Sequence, residues 1–206
     1  MTLSLSVAGR GSGRGRLLRI LDWIAQPAAA GAAFVVIALG VVTWLPALAA
    51  LAHTLQRWRS DGDNRSFTGV FGAFPRYWRV LWRHSALSTA AVSVLAANSL
   101  FLTGRSSPYA FVLLAAQAGL GAALFVHCTA FAAHAGLAPD EPPAEWHRRA
   151  LALAFASPAR GTALLGAAVS AVVLTLPVPL GPLVFGPSVP VLLALHLAAP
   201  QPERTT

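Results

Sequence analysis

The sequence predicts an all-α, polytopic membrane helical bundle, and three observations carry that expectation. Of its 206 residues, 56% are hydrophobic and only 11% charged, where a soluble domain has roughly a quarter charged. Mean hydropathy is +0.63. Residues 85–103, 108–138 and 161–199 contain no Asp, Glu, Lys or Arg, and about 18 such residues in a row suffice for a bilayer-crossing helix.

The formal charge of +8 does not point to nucleic acid. Its arginines are confined to the segments between apolar runs, where they set topology. All fifteen basic residues are Arg, a bias that fits a GC-rich bacterial genome better than any chemistry, since phosphate binding accepts Lys as well. Cys128 is the sole cysteine, so an intramolecular disulfide is excluded and a small buried thiol is expected. The basic start "RGSGRGRLLR" leads into an apolar run too long for a signal-peptide core and without a clear cleavage site, so it reads as an uncleaved first membrane segment.

Five apolar stretches follow one another: 27–55, 85–104, 108–135, 161–178 and 182–199. Arginine clusters lie at Arg10–Arg19, at Arg57–Arg83 and at Arg148–Arg160, and short Arg-rich segments resist translocation. The loops "TGRSSP" and "PVPLGP" hold one Arg and none. They are expected outside, which makes 85–135 and 161–199 two out-and-back pairs and leaves both termini in the cytoplasm of a bacterial cell. Residues 27–55 have arginine clusters at both ends and therefore enter and leave on one side. As one straight helix they would be ~44 Å long against a ~30 Å hydrocarbon core. Gly40 and Pro46 supply the break: Pro46 removes an amide donor and suits the first turn of a second arm, "PALAALAHTLQRW". A re-entrant hairpin and two short crossings both satisfy this pattern, with a Pro-kinked single crossing as the alternative.

The chain thus reads as a single integral membrane domain. A basic arm (1–16) precedes the hairpin (17–58), and a cytoplasmic loop with a basic amphipathic helix (59–84) leads to the first transmembrane pair (85–135). An interfacial segment (136–160), the second pair (161–199) and a cytoplasmic tail (200–206) complete it. In residues 67–83, Phe67, Phe71, Phe74, Trp78 and Leu81 or Trp82 recur at helical spacing while Arg76, Arg79 and Arg83 share another face. Such a helix suits the interface with anionic headgroups, and the same residues are candidates for docking a partner.

The hairpin arm and the stretch after it resemble the YesL family of bacterial membrane proteins. The matching residues are Pro46, Ala47, Ala50 and Leu51, then Phe67, Phe71 and Trp78, within residues 15–100. The resemblance implies an accessory or regulatory role in carbohydrate uptake, beside sugar ABC-transporter subunits; the family's biochemical activity is not established. This chain departs from the family in its Gly/Arg-rich start and its lack of lysine.

No catalytic constellation is expected. The long spans carry no carboxylates, and Asp22, near a span, is spaced to pair with Arg19. His127, Cys128 and His134 lack the further ligands that a metal or haem site requires, so no cofactor is predicted, and the histidines are expected to hydrogen-bond across helices. Gly119 and Gly121, with Ser85, Ser88, Thr89, Asn98, Ser99 and Gln117, are expected to serve close helix packing and interhelical hydrogen bonds, with a polar cleft between these helices and the hairpin as the alternative. The alternative function is a small permease or channel for a neutral solute, with Asn98 and Gln117 as its polar lining. Self-association is left open by the sequence.

Overall fold

The structure, a computed structural model, describes residues 12–199, with side chains from Leu21 onward. Residues 1–11 of the expected arm, the tail 200–206 and the expected Arg19–Asp22 pair lie outside what is described. Seven helices form the described chain: α1 (Ser12–Ala38), α2 (Trp44–Asp61), α3 (Ser66–Thr103), α4 (Pro108–Leu137), α5 (Pro143–Phe155), α6 (Pro158–Thr175) and α7 (Gly181–Ala198). Five of them, α1, α3, α4, α6 and α7, are long and apolar enough to cross a membrane. This is an all-α polytopic bundle, as the composition predicts.

The first apolar stretch doubles back. Helix α1 ends at Ala38, residues 39–43 turn, and α2 returns against it. Gly40 lies inside that turn, whereas Pro46 sits in the first turn of α2, where its missing N–H is one that no intrahelical carbonyl would have met. The reversal thus rests on residues 39–43, and Pro46 favours the helix that follows.

Helix α2 is the centre of the molecule, although it is not one of the five long apolar helices. It packs on α1, α3, α4 and α7 and buries Leu45, Leu48, Leu51, Leu55 and Trp58. Close approach explains its burial. A Cβ at Gly136 of α4 would stand 2.7 Å from the backbone of Ala52 and His53, and one at Gly69 of α3 would stand 2.9 Å from Thr54 Cγ2. In lipid, helices associate by fit more than by hydrophobicity, and glycine at a crossing point lets backbones come together. Gly31 does the same between α1 and α7, where a Cβ would overlap the Val184 carbonyl oxygen.

The basic amphipathic stretch and the first crossing are one helix. Nothing at the junction around His84 breaks α3, and Pro75 is accommodated inside it. Its inward face is Ser66, Val70, Tyr77, Leu81 and Ser85, so α3 lies along α2 before it continues past the hairpin. The end of α4 is closed by its neighbours. Pro139 has no N–H for the Ala135 carbonyl, which accepts instead from Tyr77 Oη at 3.0 Å. Trp146 Nε1 of α5 donates to the Ala138 carbonyl at 2.8 Å, and Arg76 Nη2 to that of Pro139 at 2.8 Å. Helix α5 presents Trp146, Ala150, Leu153 and Ala154 inward. Its outer face is an ion-pair ladder in which Arg149 meets both Glu141 and Glu145 at 2.9 Å.

Candidate functional site: a cavity above the hairpin tip

The hairpin tip stands opposite the middle of α3. Trp44 Nε1 donates to Thr89 Oγ1 at 3.0 Å, Thr89 Oγ1 donates to the Val41 carbonyl at 3.4 Å, and Ser85 Oγ donates to the Val42 carbonyl. Inside the turn, Thr43 Oγ1 closes on the Ile37 carbonyl. Val41 is held at φ 55, a left-handed conformation that a β-branched residue adopts only when its surroundings impose it. The α3 hydroxyls supply that restraint and satisfy carbonyls that no helix pairs. From Thr89, α3 runs on to Thr103, which at 1.5 Å per residue is ~21 Å beyond the tip.

Above the tip a cavity of about 1050 Å³ opens, at the upper end of the roughly 300–1,000 Å³ of small-molecule sites. The hairpin makes its floor with Phe34, Val41, Trp44 and Leu48. The walls come from α3, α4, α6 and α7, with Val92, Ala96, Leu114, Gly121, Val172 and Leu183 among their contributions. Every lining side chain is uncharged, and most are apolar. The polar exceptions include Thr89, Ser93, Ser99 and Gln117, and Ser99 Oγ donates to Gln117 Oε1 at 2.8 Å.

The site residues expected from the sequence divide here. Gln117 lines the cavity, but Asn98 does not: it is exposed on α3. Thr89, Val92, Ser93, Ala96 and Ser99 share one face of α3, and at about 100° per residue Asn98 falls on the other side of the helix. Gly40 is in the turn beneath the cavity, and Pro46 is buried in α2. Gly119 and Gly121 serve no close helix approach, because a Cβ at either meets nothing within 4 Å. The lining residue Ser99 was legible as a small polar residue of the span, but nothing in the sequence distinguished its direction from that of Asn98.

The basic aromatic face of α3 looks outward. Arg79 and Arg83 are exposed, as are Phe67, Phe71 and Trp82, with the Arg83 guanidinium 5.3 Å from the Trp82 ring centre. Trp78 is half-buried and stacks on Phe74 at 5.9 Å. Arg76 is tied down, pairing with Asp140 at 2.7 Å. His127 Nε2 lies 3.2 Å from Nδ1 of His147 on α5, a hydrogen bond between elements. Among the described residues no group of three or more His, Cys, Asp or Glu is placed to hold a metal ion.

No family model, no curated protein and no solved structure matches the chain.

Proposed function

We propose that this multipass membrane protein is an accessory component of a transport assembly in a bacterial cytoplasmic membrane. Its termini face the cytoplasm, and it works beside carbohydrate-uptake subunits of the ABC type, as the YesL-like resemblance implies. The observation that carries this reading is the outward face of α3: Arg79, Arg83, Phe67, Phe71 and Trp82 are exposed on the Arg-rich half of the helix. Aromatic and Arg side chains together are the residue types that dominate protein interfaces. Co-purification in mild detergent with tagged wild-type protein tests it. A sugar-transporter subunit is expected to be retained by wild type and lost from the Arg79→Ala/Arg83→Ala variant. Recovery without such a subunit, or retention unchanged by the double substitution, overturns the reading.

The cavity favours a second reading, a small carrier for a neutral solute. An uncharged chamber roofing a hairpin tip suits an uncharged ligand, since a buried charge without a partner is costly. Solute flux into vesicles containing the protein tests this, with Gly121→Phe expected to abolish it.

A further inference from the structure

We propose that the cavity above the hairpin tip binds an uncharged amphiphile, with its long apolar chain against α3, α4 and α7 and an uncharged oxygen-bearing end at Gln117. The inference gives the second reading above its ligand class and does not depend on the outward face of α3.

Three observations carry it. The lining is uncharged throughout and mostly apolar, so it complements a chain and offers no counter-charge to a phosphate, carboxylate or ammonium group. One polar pair in the lining offers a place for a head: Ser99 engages one atom of the Gln117 amide. Whichever way that amide is turned, its other polar atom is left for a ligand hydroxyl or carbonyl. Finally, the chamber has an open side at membrane depth. Helices α3 and α7 both line it, yet they do not form a packed pair. Helix α1 packs against each of them and ends at the turn. Helix α7 runs antiparallel to it, with Val184 beside Gly31 and Ser188 Oγ donating to the Pro27 carbonyl, and so starts near the same height, leaving the upper half of α3 without either beside it. A chain can therefore enter sideways over the hairpin tip from the apolar belt formed by exposed residues such as Val94, Leu100 and Phe111. Small residues make the room, since Ala96, Ala118 and Gly121 line the cavity where larger side chains would fill it.

The test uses the full chain in phosphatidylcholine vesicles and a C18 alcohol carrying a diazirine in its chain. After illumination, labelled residues are located by mass spectrometry. Saturable labelling is expected at cavity residues such as Val92, Leu114 and Leu183, competed by unlabelled C18 alcohol and not by the corresponding alkyl phosphate. Gly121→Phe should abolish it, because the added ring projects into the chamber and meets no neighbour at its Cβ. Gly119→Phe, also free of neighbours but outside the lining, should leave it intact. Gln117→Leu should weaken competition by the alcohol about 3- to 10-fold, the worth of one neutral hydrogen bond. Unsaturable labelling spread evenly over Leu100 and Phe111 would mean bulk lipid only and overturns the proposal. So does equal competition by the phosphate, or labelling indifferent to Gly121→Phe. If labelling is specific but no flux is seen, the site stands and the carrier reading falls.

Discussion

The two halves of α4 are built from similar residues and have opposite fates. Its second half, "CTAFAA" at 128–133, is buried at every position, whereas "AAQAGLG" at 115–121 is largely exposed, with only Gln117 and Gly121 half-buried. Both stretches are apolar and rich in small side chains. What differs is the neighbour: α2 lies along the second half and stops at the turn before reaching the first. In lipid an apolar surface gains nothing by leaving its surroundings unless a partner fits it, so small residues mark a capacity for close approach and not its occurrence. The short hairpin thereby creates both a packed half and a hollow one.

The largest expected effect breaks this contrast on one helix. Gly136→Leu drives a side chain into the Ala52–His53 backbone, 2.7 Å from where its Cβ must stand. It should cost at least the upper part of the about 1–3 kcal/mol typical of overpacking and remove most of the monodisperse protein in size-exclusion chromatography. Gly121→Leu meets nothing within 4 Å and should leave the same elution profile unchanged. Equal loss from both would show that the first half of α4 is as tightly packed as the second.

Truncation sharpens the comparison at smaller magnitude. Leu51 is fully buried and Leu100 is 76% exposed. Leu51→Ala should cost near the low end of the about 2–5 kcal/mol of core truncations, because its unfolded reference is partly lipid-solvated. Leu100→Ala should stay within about 0.5 kcal/mol. Reversible unfolding in mixed detergent micelles measures the difference, and its absence would deny α2 its central place. Next in size is Tyr77→Phe, which leaves the Ala135 carbonyl without its donor opposite Pro139. A loss of about 1 kcal/mol is expected in the same assay.

The helices were largely legible. The uncharged runs ending near 104, 135, 178 and 199 correspond to helices ending at Thr103, Leu137, Thr175 and Ala198, because Gly and Pro punctuate the loops between them. The reversal near Gly40 was legible from length and charge together. Two things were not. The continuity of α3 through residue 84 was hidden because amphipathic and uniformly apolar segments look like separate elements even when no breaker divides them. The cavity was hidden because it depends on how far the hairpin stops short of its neighbours, and a periodic pattern gives a residue's face but no relative height. Gln117 and Asn98 show the limit: both are amides in apolar helices, and only the pairing with Ser99 tells which one faces inward.

The smallest effect concerns the ion-pair ladder of α5, the polar counterpart of the packed half. Arg148 donates to Glu145 Oε1 at 2.8 Å and Arg149 Nε to the same oxygen at 2.9 Å. That hydrogen bond from Arg148, with the charge of both guanidiniums, holds the carboxyl below its ordinary value of 4.5. A depressed carboxylate favours the fold above the unfolded pKa and loses that contribution as pH falls through the folded one. Wild type should therefore melt slightly above Glu145→Gln at pH 7, and the gap should close as pH falls through the lowered pKa of the folded state, where the carboxylate takes up its proton. The pairs are at the surface, so the gap should also shrink in 1 M salt, where screening acts within about 3 Å. A gap that persists in acid and in salt would mean that Glu145 supports α5 through packing or helix capping and not through its charge.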